Sequence, residues 1–289
     1  MRAMRVLDEV GLEECAVAMT RAEVRLFDTA RAFDAIAGEY HASNTANPIL
    51  EHMRARVFRT LCAHVPVGAE LLDIGCGPGT DHPALVGAGY VVSGIDASPE
   101  MVRQAQRRAD TLGGPHRPTV LCRPVDQVAK FQPGQFDAAL SNFGPLNCAS
   151  DLTAVARHLH EVLRPGGVFV ASVIGRLCPW EMAIYLAKGD PGRAFLRLRS
   201  GMVPVPLKSG VVWTQYVSPR AFTSIFASAG FRTVRLEGLG VVAPPPYLEA
   251  FALRRPALVR RLLEWDDMVG AWPLVRHLGD HFLVVLQRD

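Results

Sequence analysis

No cysteine spacing in this chain suits a metal knuckle or a disulfide frame. The six cysteines (Cys15, Cys62, Cys76, Cys122, Cys148, Cys178) are scattered, and no two make a CxxC pair. Free thiols in a reducing compartment are expected. No apolar run approaches the ~18 residues of a membrane span, and the opening MRAMRVLDEVGLEEC carries acids where a secretory signal needs an apolar stretch. The expectation is a cytoplasmic protein without a membrane span. Charge of neither sign dominates: 31 Lys and Arg stand against 28 Asp and Glu, a net +3 too mild to name a polyanionic partner. Repeats and low-complexity segments are also lacking. What remains is a chain of 289 residues, 49% hydrophobic and 20% charged, long enough to bury a sizeable core.

From residue 70 onward short apolar strands alternate with helical patterns. ELLDI (Glu70 to Ile74) reads as a strand ending in glycines, Asp81 to Gly87 as a short helix, YVVSGI (Tyr90 to Ile95) as a strand and Pro99 to Thr111 as a helix. The series continues through strands at Thr119 to Cys122 and Phe136 to Ser141, a helix at Asp151 to Leu163, and a strand at Val168 to Val173 after the turn Arg164-Pro165-Gly166-Gly167. This spacing predicts a parallel sheet with helices on both faces. Later, Ser218 to Ala229 predicts a helix stopped by Gly230, and Phe231 to Glu237 and His281 to Leu286 predict strands. Two long excursions, 176–217 and 241–279, exceed simple connections and are read as cap insertions. Residues 1–60 read as an N-terminal helical lid broken at Ser43 to Pro48. The core is then 61–175, 218–240 and 280–289.

The first strand runs directly into Gly75, Gly77 and Gly79. Glycine permits a tight turn and lets a ligand lie against bare backbone, while the next helix brings unpaired amides. A nucleotide-like ligand suits that edge of a sheet. The dinucleotide fingerprint GxGxxG is not met, because Thr80 stands where its last glycine belongs. Asp73 before the loop would repel a pyrophosphate and pair with an ammonium, so the ligand is expected to carry a cation. By itself, Asp96 could equally cap the helix near Pro99. Cys76 is read as a small buried hydrophobe.

These residues resemble the class I S-adenosylmethionine-dependent methyltransferases of the small-molecule type. LDIGCGPGT is similar to their first motif, GIDASPEM to the next, FDAALSNFG to the fourth-strand motif, and LRPGGVFV to the turn into the fifth strand. The resemblance implies a Rossmann-like, mostly parallel seven-stranded sheet with an antiparallel last strand. It implies S-adenosylmethionine as cofactor and S-adenosylhomocysteine as product. Asp73 and the backbone at Ser141 and Asn142 would hold the methionine amino group; Gly75, Cys76 and Gly77 would lie under the methionine and ribose; Asp96 would receive the ribose hydroxyls. Ala97 or Met101 would pack on the adenine, and Asp126 or its neighbour Val125 or Gln127 would receive the adenine amino group. AFDAIAGEYH (Ala32 to His41) resembles the family's lid helix, with Tyr40 over the cofactor and His41 where an acid is usual. Phe143 is either a wall of this site or core.

Methyl transfer from a sulfonium mainly asks a protein to hold two partners at attack distance and exclude water. A base for the acceptor, where one is needed, is sought among His41, Tyr40, Glu181, Tyr216 and His281. The first excursion is aromatic, and between Arg176 and Arg220 seven basic residues face two acids. Asn147, Trp180, Glu181, Trp213 and Tyr216 are the expected substrate residues. The acceptor is expected to be small and apolar or aromatic, with or without an anionic group, and the enzyme a monomer or homodimer without metal. Two alternatives share the fold: a nucleic-acid base methyltransferase, disfavoured because Ser141 to Pro145 lacks an NPPY-like segment, and a non-catalytic cofactor-binding regulator.

Overall fold

A computed structural model describes residues 19–113, 117–208 and 210–289; the first eighteen positions of the expected lid, Cys15 included, lie outside it. Three helices open the described chain: α1 (Arg21–Asp34), α2 (Ala37–Ala46) and α3 (Pro48–His64). Thr20 and Glu23 form a reciprocal cap on α1, and Asn47 accepts from the amides of Ile49 and Leu50 to start α3. The expected break at Ser43 to Pro48 narrows to Asn47 alone. A second break, at Ala35 and Ile36, divides the segment read as one lid helix. There Asp34 turns its carboxylate to Ser98 Oγ (2.6 Å) and the Glu100 amide (2.9 Å), which a straight continuation of α1 does not require.

The core alternates β1 (Glu70–Ile74), α4 (His82–Gly87), β2 (Val91–Asp96), α5 (Pro99–Leu112), β3 (Thr119–Cys122), β4 (Phe136–Ser141), α6 (Leu152–Val162) and β5 (Leu163–Ile174). After the first insertion come α9 (Pro219–Ser228), β8 (Phe231–Leu239) and, after the second, β9 (His281–Arg288). Ser98, Asp151 and Ser218 cap α5, α6 and α9 with side-chain oxygens. The seven-stranded sheet runs β3-β2-β1-β4-β5-β9-β8, with β1 to β5 parallel and β9 antiparallel to both neighbours. This is a Rossmann-like α/β fold with helices on both faces. One boundary moved: β5 begins at Leu163, opposite Phe136, and the turn 164–167 bulges out before Val168 pairs with Ala138.

Strand periodicity sorts the core into two layers. Leu72, Ile74, Ala139, Phe282 and Val284 face α6 and α9, where Phe222 stacks on Phe226 at 4.5 Å. Leu71, Leu140, Leu283 and Val285 face α3 and the second insertion. That insertion folds as α10 (Glu249–Arg254) and α11 (Pro256–Val269); Ala252, Val259 and Leu263 pack inward. The first folds as α7 (Pro179–Ala187), the single turn α8 (Pro191–Ala194), and a hairpin of β6 (Met202–Leu207) and β7 (Gly210–Gln215). The hairpin lies so close to α1 that a Cβ on Gly210 would fall 2.7 Å from Ala32 Cβ.

Candidate active site

A cleft opens beyond the C-terminal ends of β1, β2 and β4, with about 1120 Å³ free of protein atoms, its open mouth included. The glycine loop forms its floor. Gly75 (φ +73°) must be glycine, because a Cβ there would fall 2.2 Å from Pro145 Cβ. At Gly77 (φ +54°) a Cβ would meet only Tyr40 Cε1, at 4.0 Å, so its bare face looks into the cleft under the half-buried Tyr40 ring. Amides of Gly75 and Cys76 both donate to Ile95 O, tying the loop to the end of β2.

Two carboxylates line this floor. Asp96 accepts the Gly77 amide on Oδ2 and the Ser98 amide on Oδ1, both at 2.9 Å. Ser98, not Asp96, is the N-cap of α5. Burial pushes the Asp96 carboxyl up to about 6; the two amide bonds pull the other way, and Asp73 and Asp34 add to the rise. Asp73 is 2% exposed, and its Oδ2 has no hydrogen bond, the nearest cation-capable atom being His82 Nε2 at 3.4 Å. Burial raises its carboxyl too, against the pull of His82. A buried acceptor left without a donor is a costly arrangement that a bound cation relieves. An open glycine face, an anchored carboxylate and an orphaned carboxylate oxygen together suit a ligand with a ribose and an ammonium group.

Beside this cleft lies a second cavity of about 710 Å³, open space included. Tyr40, Arg54, Phe143 and Ile174 line both and form the shared wall. Phe143 adopts φ +59°, rare for an aromatic residue, because Ser172 Oγ accepts its amide at 2.8 Å and the following Gly144 is also left-handed. Arg54 sits over the Phe143 ring at 4.9 Å and donates to Asp81, whose other oxygen accepts from Asn142 Nδ2 at 3.2 Å. Those bonds explain why Asp81, the expected helix start, makes no side-chain cap on α4. The far side of the cavity is Arg197, Tyr247, Asp280 and His281. Arg197 bridges Glu181 (2.5 Å) and Asp280 (2.7 Å), and His281 Nδ1 lies 2.9 Å from Asp280 Oδ2. Burial alone would raise Asp280, but Arg197 and His281 outweigh it and hold this carboxyl well below its ordinary range. Cys178, Glu181 and Asp280 converge as metal ligands could, yet Arg197 already supplies the cation to both acids.

The family described as "Methyltransferase domain" matches residues 71–167, the span that carries both carboxylates and the glycine loop. Over 93% of its length the chain is 28% identical to the malonyl-[acyl-carrier protein] O-methyltransferase of Salmonella typhimurium, all of which is covered. The chain is a class I S-adenosylmethionine-dependent methyltransferase. It is 33% identical to the ubiquinone biosynthesis O-methyltransferase of Xanthomonas axonopodis over 45% of its own length, spanning about half (51%) of that relative. In fold, the methyltransferase is similar to the 1,6-didemethyltoxoflavin-N1-methyltransferase of Burkholderia thailandensis, solved with S-adenosylhomocysteine (TM-score 0.56, 18% identity, 94% of this chain and 91% of that one). Its cofactor is S-adenosylmethionine.

Of the fourteen residues named for the cofactor from sequence, eleven line the first cleft of the methyltransferase, and Asp126, Gln127 and Ser141 do not. Asp126 faces away, its Oδ1 accepting from the amide and hydroxyl of Ser150, and Val125 lines the cleft in its place. Ser141 is fully buried, its hydroxyl donating to Ile74 O. The expected substrate and catalytic residues are dispersed more widely. Trp180 Nε1 donates to Val242 O, joining the two insertions, and Trp213 Nε1 donates to Asp28, fastening the hairpin to α1. The Asn147 amide braces the backbones of Ile174 and Gln215, Glu181 is held by Arg197, and the Tyr216 ring lies against Arg197 at 5.5 Å. None of these five lines either cavity. Nor does His41, which meets Thr80 Oγ1 (3.1 Å) and Arg108; burial and the nearby arginines lower its pKa. Of the expected catalytic residues, Tyr40 and His281 reach the cavities. Arg54, Asp81, Arg197 and Asp280 were not singled out, and no local motif marks them.

Proposed function

We propose that the first cleft holds S-adenosylmethionine and that the adjoining cavity holds a small apolar or aromatic acceptor, methylated across the wall formed by Tyr40, Arg54, Phe143 and Ile174. The observation that carries this reading is the shared wall: a two-substrate transfer needs two chambers that meet, and these four residues belong to both. When bound, S-adenosylmethionine supplies a methyl group on an electrophilic sulfonium. Asp96 would receive the ribose hydroxyls, Asp73 the ammonium group, and Gly77 the close approach of the ligand. Val125, Ala97 and Met101 would pack on the adenine.

On the acceptor side, charge is present but compensated. Arg54 is engaged by Asp81, and Arg197 by Glu181 and Asp280. A neutral acceptor suits this arrangement better than an anionic one, since an anion would compete for guanidinium groups that already have partners. His281 is the base that the cavity offers. Its Nδ1 lies 2.9 Å from Asp280 Oδ2, and its ring lines the cavity and meets Phe143 edge-on at 5.7 Å. A proton leaving an acceptor hydroxyl would pass to this imidazole, with Asp280 stabilising the charged ring. Tyr40 covers the wall as a neutral phenol, its pKa raised by burial.

The test is transfer of a labelled methyl group to a matched panel of phenols, aromatic carboxylates and single-stranded oligonucleotides. Transfer to neutral phenols above the others supports the reading, with His281→Gln lowering kcat most for the least acidic phenols. Turnover confined to carboxylates or to nucleic acid overturns the acceptor assignment while leaving the cofactor assignment in place.

A further inference from the structure

Helix α11 is apolar on two opposite sides. One side, Val259, Leu263 and the buried Asp266, packs on the sheet. The other carries Leu258, Arg261, Trp265 and Met268 at helical spacing, and Trp272 extends the stripe beyond the helix end. A helix apolar all round is ordinarily buried, yet Trp265 is 55% exposed, Met268 62%, Trp272 58% and Leu274 88%. Of the sixteen exposed large hydrophobic residues described, seven fall within residues 247–274, so the concentration is local.

Charge beside the stripe is one-sided. Arg254, Arg255, Arg260 and Arg261 are exposed and join no ion pair among the described residues. The acids of the segment do not balance them. Asp266 is buried and accepts the amides of Gly240, Val241 and Val242, and Asp267 is engaged by Arg56 and His52, leaving Glu249 and Glu264 against the four arginines. We infer that this face of α10 and α11 docks on an anionic lipid bilayer. Indole rings and guanidinium groups around protruding Leu and Met side chains are the composition that settles at a headgroup boundary, where arginines meet lipid phosphates. A second copy of this chain fits poorly, because a two-fold contact would set four arginines against four. The acceptor cavity lies on the same insertion: Tyr247, in the turn that leads into α10, both lines that cavity and stands 49% exposed. Docking there would bring the cavity mouth to the lipid surface.

The inference is independent of which acceptor is methylated, and its test needs no turnover. The full chain is sedimented with vesicles of phosphatidylcholine and with the same vesicles carrying phosphatidylglycerol, while tryptophan emission is followed. Binding to the anionic vesicles about tenfold stronger or more, with a blue shift and loss at high salt, is expected. R260Q/R261Q weakens that binding about 25-fold, on about fivefold per arginine. W265S/W272S abolishes the blue shift, the other two tryptophans being half-buried and fastened through their Nε1 atoms. Both variants keep calorimetric binding of S-adenosylhomocysteine, which shows that they fold. Equal binding to both vesicle types, or none, overturns the inference. So does a concentration-dependent dimer that W265S/W272S dissolves, or a blue shift produced by polyaspartate in solution but not by anionic vesicles, which would indicate an acidic protein partner.

Discussion

The two chambers of this methyltransferase are built by different means. The donor cleft is made chiefly of consecutive backbone at strand ends, so its shape follows from a short stretch of sequence: Gly75 against Pro145, Gly77 open, Asp96 held by two amides. The cavity proposed for the acceptor is made of side chains from distant places, Arg54, Arg197, Tyr247 and His281, held by buried ion pairs. Backbone scaffolding tolerates loss of one side chain, whereas a buried charge network does not. The donor side should therefore fail in binding and the acceptor side in folding.

The largest effect is expected at Arg197. Replacing it with Met leaves Glu181 and Asp280 buried without their cation and should cost about 3–5 kcal/mol of stability, read from the shift in urea midpoint. Where the variant still folds, its affinity for S-adenosylhomocysteine should stay within about threefold of the parent. Next, Asp96→Ala removes the carboxylate assigned to two ribose hydroxyls. Calorimetry should show S-adenosylhomocysteine binding about 100-fold weaker, with the urea midpoint little changed, because loss of the two amide bonds offsets removal of a carboxyl that burial disfavours.

Acid separates the two sides further. The Asp96 carboxyl is pushed up to about 6 in the folded protein, above its ordinary 3.8, so the folded state holds the proton more tightly than the unfolded one. Its contribution to the stability of the free protein therefore rises as pH falls from about 6 toward 3.8, while cofactor affinity, which needs the carboxylate, falls by up to about tenfold per pH unit below 6. Asp280 behaves in the opposite sense. Its folded pKa is depressed, so its stabilising contribution is present at neutral pH and is lost only as pH drops below 3.8. Calorimetric titrations between pH 4 and 8 and urea midpoints extended to about pH 2.5 separate the two, and Asp96→Asn should flatten the affinity profile. The smallest change is expected at His41: His41→Ala should alter cofactor affinity by less than about threefold, since its ring faces Thr80 and Arg108 and not the cleft.

The same contrast explains what was legible in the sequence. Glycine spacing, Asp73 and Asp96 encode a backbone shape, and alternating apolar residues encode the two layers of the sheet, so the fold and most of the donor cleft could be read locally. Asp126 turns away from the cleft because one step along a short 3-10 turn (Val125–Lys130) decides which side chain faces it. The acceptor side was hidden for another reason. Trp180 and Trp213 were picked for their aromatic rings, but their indole nitrogens serve to fasten the insertions. Residues that do line the cavity, such as Arg54 and Arg197, are ordinary helix and loop arginines until tertiary structure brings them within reach of Asp280 and Phe143. The buried Asp266, which gathers four backbone amides and so fixes the start of the second insertion, was equally invisible.

The most direct test of two chambers meeting at one wall is a crystal structure with S-adenosylhomocysteine bound. The account predicts ribose hydroxyls on Asp96, the amino group at Asp73, and the sulfur at the wall of Tyr40, Arg54, Phe143 and Ile174, facing the second cavity. A ligand bound with its sulfur turned away from that wall, or outside the glycine cleft, would contradict it.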